Sequence, residues 1–222
     1  MSMRARRPPQ VARRLGMVLL LAVLLPGCAP AARTELPREA RGASVHAARQ
    51  KASALTDDYL RRINNSGPVQ GTLDGCEDLR PQRVGFAWRC SITRAGTVTG
   101  TSVNDSLSGL HTRLRAEGCS AAPGLQATLR RNREGLAPRY LYDVDYRCAQ
   151  GVVVVIRFSE PNDPTLPQKL NLRETTYSPG GANVISEEPF AAETLDAMRA
   201  DKSKKVIMLI AVQKQYWQMP VE

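Results

Sequence analysis

Aromatic residues make up only 5% of this 222-residue chain, and histidine occurs twice, as His46 and His111. Two separated imidazoles offer little material for a histidine-based metal site or a nucleophile–base pair. His46 opens the first helical pattern and His111 lies inside the second, beside Leu110, where a surface or boundary role is the simpler reading. Also missing are Gly-x-Ser-x-Gly, Gly-x-x-x-x-Gly-Lys, His-Glu-x-x-His and Gly-x-Gly-x-x-Gly, the local signatures of several hydrolase, nucleotide and metallopeptidase sites. No cysteine has a Cys-x-x-Cys partner, which argues against zinc. No apolar run approaches the roughly twenty residues of a permanent membrane helix. These gaps lead to the expectation of a protein without catalytic activity, cofactor or metal.

Arginine, by contrast, is plentiful, and its position matters more than its number. The chain has 31 basic and 21 acidic residues, a formal net charge of +10. Arg4, Arg6, Arg7, Arg13 and Arg14 precede an apolar run at residues 15–25, and Pro26, Gly27 and Cys28 follow it. A basic stretch, a short apolar run and a small residue, in that order, make a secretory leader. Leu25-Pro26-Gly27-Cys28 resembles the lipobox of bacterial lipoproteins, with an aliphatic residue three places before the cysteine and a small one just before it. The resemblance implies cleavage after Gly27 and lipidation of the Cys28 thiol. One acyl chain holds a protein reversibly, whereas two or more make a lasting anchor. Ala29 stands where an aspartate would, by analogy with enteric bacteria, favour the inner membrane, so the expected location is the outer membrane, facing the periplasm. An ordinary secretory leader with an incidental cysteine is the alternative.

Removing residues 1–27 leaves 26 basic residues against 21 acidic ones, a net of +5. Nucleic acid is therefore not the expected partner; a modestly basic domain beside anionic lipid, cell wall or another envelope protein fits better. Cysteine usage points to the same compartment. With Cys28 assigned to lipid, Cys76, Cys90, Cys119 and Cys148 remain, an even number suited to two disulfides in an oxidising space.

Residues 28–43 carry two prolines and no apolar period, and read as a tether to a single domain at 44–222. Val45, Ala48, Ala52, Leu55, Tyr59 and Ile63 share a helical stripe that ends at Asn65-Ser66-Gly67-Pro68. Residues 83–93 alternate as a strand, and residues 97–101 can return as its hairpin partner after Ala95-Gly96. A second helix carries Leu107, Leu110 and Leu114, with Asn104 or Asp105 as N-cap and Gly118 as its terminal glycine. Further strands are expected at 125–131, 139–148, 152–158 and 206–212, the third apolar on both faces as in a central strand. Residues 159–189, rich in proline and glycine, read as a long connection with one short strand at 169–175, and a short helix with Ala191, Leu195 and Met198 follows. The expected fold is α+β, an antiparallel sheet of five to seven strands with helices on one face. Helix, Gly-Cys, strand and aromatic-Arg-Cys occur twice, through Gly75-Cys76 with Trp88-Arg89-Cys90 and Gly118-Cys119 with Tyr146-Arg147-Cys148. If the two units are related, the bridges are Cys76–Cys90 and Cys119–Cys148, one of three possible connectivities.

Three groups could carry binding. Arg130, Arg131, Arg133 and Arg139 surround an expected basic hairpin that could grip phosphate or carboxylate. Tyr140, Tyr142 and Tyr146 share a strand face and either line a pocket or pack in the core. Asp143 and Asp145 share the opposite face, as a cation site or as solvent-facing partners of Arg89 or Arg147. The expectation is a non-catalytic envelope lipoprotein acting in assembly or interaction, anchored to the membrane and working with an envelope protein partner. The alternative is a lipoprotein that binds a small or anionic ligand through the tyrosine-lined sheet or the basic hairpin.

Overall fold

A computed structural model describes residues 35–64, 69–82, 84–121, 143–177 and 182–221, which belong to one compact unit. Its first helix, α1 (Ala43–Ile63), buries Val45, Ala52, Thr56, Tyr59, Leu60 and Ile63 along one side. Arg113 Nε donates to the terminal carbonyl of Ile63 at 2.9 Å, satisfying an acceptor that the helix leaves open. The second helix, α2 (Val103–Ala116), is capped two or three residues earlier than expected. Ser102, not Asn104 or Asp105, is the N-cap: its hydroxyl accepts from Asp105 N and donates to Asp105 Oδ2. Ser102 and Asp105 stand at the positions of a capping box, but the aspartate accepts from the serine hydroxyl. Gly118 ends the helix at φ +73°, a conformation that costs a residue with a side chain.

Among the described residues, seven strands form one antiparallel sheet: β1 (Gly71–Asp78), β2 (Phe86–Gly100), β3 (Ser120–Ala121), β4 (Asp143–Arg147), β5 (Val152–Ser159), β6 (Ala182–Glu188) and β7 (Val206–Pro220). Their spatial order is β3-β4-β5-β7-β2-β1-β6. The α+β class and antiparallel sheet thus agree with the expectation. The hairpin expected at Ala95-Gly96 does not form, because β2 runs straight through it. Ala95 lies between Gly71 of β1 and Ala211 of β7, and Gly96 opposite Ile210. Small residues are placed there by neighbours on both sides, not by a turn. The hairpin partner of β2 is instead β1, reached through the short turn Arg80–Gln82.

The described residues within 159–189 hold more regular structure than their composition implies. The strand expected at 169–175 is helical, as α3 (Leu166–Lys169) and α4 (Leu172–Thr176), with Asn171 accepting from Arg173 N to start the second. Capping by asparagine at that point outweighs the β-branched threonines that follow. β6 then joins the sheet edge, before α5 (Ala192–Ala200). The expected strand at 125–131 lies outside the described residues.

Alternation along β7 divides the core. Val206, Met208, Ile210 and Val212 face α1 and α2, packing with Leu60, Ile63, Leu107, Leu110 and Leu114. Ile207, Leu209 and Ala211 face the other way, under Leu166, Leu170, Leu172, Phe190 and Met198. The two long helices share a face as expected, and the short helices cover the second. A third cluster at one corner holds Trp88, Cys76, Cys90 and Ala40. Ala40 belongs to the turn Arg38–Arg41, and Leu36 packs against the same cluster. The expected tether at 28–43 therefore ends sooner, since its last residues are folded onto the domain by apolar contact.

Both disulfides join the pairs that the repeat implies, Cys76–Cys90 and Cys119–Cys148. Cys76 and Cys90 are directly opposed in the β1–β2 register. Cys119 and Cys148 adjoin the paired residues Ser120 and Arg147. Each bridge thus ties the strand after a long helix to the strand that follows it. Outward from the β5–β7 border, β7-β2-β1 on one side corresponds to β5-β4-β3 on the other. The glycines of the two Gly-Cys pairs differ in role. Gly118 supplies a left-handed turn, whereas a Cβ on Gly75 would meet Asn183 O at 2.8 Å and Tyr177 Oη at 2.9 Å.

Candidate functional site

The least expected strand holds the most chemistry. β1 carries Asp74 and Glu77, each 1% exposed, on opposite faces of the sheet. Burying a carboxylate is costly unless a cation and hydrogen bonds replace its water. On the α1 face, Arg49 Nε donates to Asp74 Oδ2, and Tyr216 Oη donates to Asp74 Oδ1 at 2.8 Å. On the other face, Arg89 Nη2 donates to Glu77 Oε2 at 2.7 Å, with Gln82 Nε2 at 3.4 Å from Oε1. A third ion pair, Arg94 Nε to Asp57 at 2.8 Å, ties β2 to α1 beside it.

Near Glu77 the second face is polar but closed. Tyr177 Oη donates to Ser91 O, Thr93 and Thr176 hydroxyls lie 3.0 Å apart, and Gln213 Nε2 donates to Ser91 Oγ at 3.2 Å. Burial pushes the Tyr177 phenol well above its ordinary value, Ser91 opposing the shift in part. These groups hydrogen-bond to one another within the buried face.

Asp74 instead stands behind an open groove of about 180 Å³. Its walls are Leu36, Ala40 and Gly42 before α1, Val45, His46 and Arg49 on the first turns of α1, Tyr216 of β7 and Ile185 of β6, with Arg41 at the rim. Val45 and Arg49 are four residues apart, which puts both on one helix face. Ile185 reaches the groove because β6 is irregular there: Ser186 pairs with Asp74 and Val184 with Gly75, so Ile185 is the extra residue. A bulge of this kind turns a side chain out of the regular pleat, and Ile185 is 41% exposed. Arg49 Nη2 also lies 3.4 Å from Ser186 Oγ, so its guanidinium is held from two sides. His46 Nε2 contacts Gln50 Nε2 at 3.1 Å. Burial is the main cause of a raised Tyr216 phenol, and the Asp74 charge adds to it. The phenol therefore stays a proton donor to Asp74.

The residues singled out by sequence fare differently. Cys28, Arg130, Arg131, Arg133, Arg139, Tyr140 and Tyr142 lie outside the described residues. Tyr146 is fully buried in the core beneath α2, where its hydroxyl lies 3.0 Å from His111 Nδ1 and burial raises its phenol to about 12. It packs, and lines no groove. Asp145 is exposed on the face opposite Tyr146, and Arg89, a proposed partner for it, is engaged by Glu77. Asp74, Glu77, Arg49 and Tyr216 were not anticipated, because pairing across distant segments leaves no local signature. Among the described residues, no group of three or more histidine, cysteine or acidic side chains could hold a metal, and no helix is long and apolar enough to cross a membrane.

Fold and site together define a two-disulfide α+β domain with an apolar, basic groove at the corner where the chain enters it. Comparison with models of protein families, with curated proteins and with solved structures gives no match to this chain.

Proposed function

We propose that this is a lipid-anchored protein of the bacterial cell envelope that works without catalysis, by binding another envelope component. The groove carries the reading. It is the described opening where apolar walls and basic side chains meet, and it lies close to Cys28 along the chain. Leu36 is eight residues from Cys28, a span of at most roughly 29 Å. An anchored Cys28 would therefore hold the groove near a membrane surface, within reach of membrane-bound partners. The leader-like N-terminus and the paired cysteines support export, and Ala29 supports the outer membrane as destination.

The test is photocrosslinking in cells with a photoreactive residue at position 185, and with one at Asp145 as an exposed control on β4. Position 185 should give a discrete envelope adduct that the control lacks, and wild type but not Cys28→Ala should incorporate a fatty-acid analogue. Equal labelling of Cys28→Ala would remove the anchor. Identical adduct patterns at both positions would remove the groove as binding site.

A further inference from the structure

We infer that the groove binds the C-terminal residue of a partner polypeptide, its apolar side chain held between Val45, Ile185 and Tyr216 and its carboxylate by Arg41 and Arg49. This rests on the reading of the protein as a binding component, and specifies what is bound.

Size comes first. A volume of about 180 Å³ is close to that of cavities of roughly 150 Å³ that accept a benzene ring. It falls short of the roughly 300–1,000 Å³ typical of small-molecule and cofactor sites. One branched or aromatic side chain fills it.

Charge comes second. Arg41, His46 and Arg49 line the groove, and no carboxylate does. Asp74 is shielded behind it, 1% exposed, with its oxygens engaged by Arg49 and Tyr216. It positions Arg49 more than it repels an incoming anion. A guanidinium has five N–H groups, and Asp74 and Ser186 engage two groups of Arg49. Because those contacts already fix the side chain, little conformational freedom remains to be lost on binding. Arg41 makes only long contacts, to the exposed Glu35 at 3.6 Å and to Leu36 O at 3.5 Å, and can swing to a ligand.

A ligand matching both features carries an apolar group and a carboxylate on neighbouring atoms. The last residue of a polypeptide does so, since side chain and carboxylate share one Cα. Aspartate and glutamate side chains have the charge without the apolar body. A fatty acid has both, but its tail exceeds the groove and would leave most methylenes in water.

The experiment follows the methyl resonances of Val45 and Ile185 in the mature, disulfide-bonded chain during titration with Ac-Gly-Ser-Gly-Phe. The free acid should shift both methyls saturably, and its C-terminal amide should bind about tenfold more weakly. Arg41→Gln, an exposed change that leaves the Asp74 pair intact, should weaken the acid several-fold while leaving the amide unaffected. Ile185→Asp should abolish binding of both. Equal binding of acid and amide, or no shift at either methyl, would overturn the proposal. Dodecanoate binding more tightly than the peptide, with the same response to Arg41→Gln, would replace a peptide terminus with a lipid carboxylate. Peptide failure alongside a specific crosslink at position 185 would remove this ligand and leave the envelope-binding function standing.

Discussion

Asp74 and Glu77 would be poor choices for a buried strand if either stood alone. Each is tolerated because one guanidinium replaces the lost water, Arg49 of α1 for Asp74 and the directly opposed Arg89 of β2 for Glu77, so removing that partner should cost more than removing a neutral donor. Arg49→Met leaves Asp74 buried with only Tyr216, and we expect a loss of about 3 kcal/mol in urea denaturation. Tyr216→Phe keeps the ion pair and should cost about 1 kcal/mol. The reverse ranking would show that charge pairing does not hold this corner. The tyrosines set a second limit. Burial raises the Tyr146 phenol to about 12, and the Tyr177 and Tyr216 phenols upward as well. An unfolded chain releases these protons near pH 10, whereas the folded one retains them. Stability from this source is therefore complete below about pH 10 and declines as pH rises toward about 12 and beyond. Melting temperature should fall steadily over that window, and phenolate absorbance should rise in step with unfolding. Complete ionisation of all tyrosines at pH 10.5 without loss of structure would contradict it.

Among the elements, the two disulfides differ in access. Cys76 and Cys90 are fully buried in the corner cluster, whereas Cys119 is 5% exposed and Cys148 half-buried. Mild reduction under native conditions, followed by alkylation and peptide mapping, should label Cys119 and Cys148 first; labelling of Cys76 and Cys90 first would contradict the burial order. In the chain-entropy picture, separations of 14 and 29 residues correspond to about 3 and about 3.6 kcal/mol. The longer loop thus stabilises slightly more while being easier to open. These elements also differ in how plainly they are written in the sequence. α1 and α2 are legible because each repeats its apolar residues on one stripe, and β5 because its valines are apolar on both faces. β1 is hidden, since Gly71, Asp74, Gly75, Glu77 and Asp78 fill five of its eight places. Its strand state comes from pairing with β2 and β6, and its burial from Arg49 and Arg89. Ala95-Gly96 misleads for a related reason: the same small residues that favour turns also permit close packing between neighbours. The groove is local in part, since most of its walls lie in residues 36–49, but Ile185 of β6 and Tyr216 of β7 complete it through contacts that no local window contains.

For the whole molecule, the decisive strand is the last. β7 lies between β5 and β2, where it pairs along 14 register positions with β2 and supplies side chains to both layers of the core. A chain ending at Lys205 should therefore fail to form a cooperative tertiary structure, although α1 and the β1–β2 hairpin are complete in it. Near-ultraviolet circular dichroism reports this directly, and a native-like spectrum from the truncated chain would show that the two halves close without β7. Contacts between such distant parts of a chain make folding slow.

The same arrangement gives the order of the cysteines a consequence for biogenesis. With Cys28 acylated as proposed, each bridge links one remaining cysteine to the next along the chain, Cys76 to Cys90 and then Cys119 to Cys148. In a chain that emerges N-terminus first into an oxidising space, a thiol oxidase acting on cysteines as they appear would form both correct bonds without reshuffling, before the closing strand arrives. Oxidation would then leave two stapled halves awaiting one segment, and an isomerase would have nothing to correct.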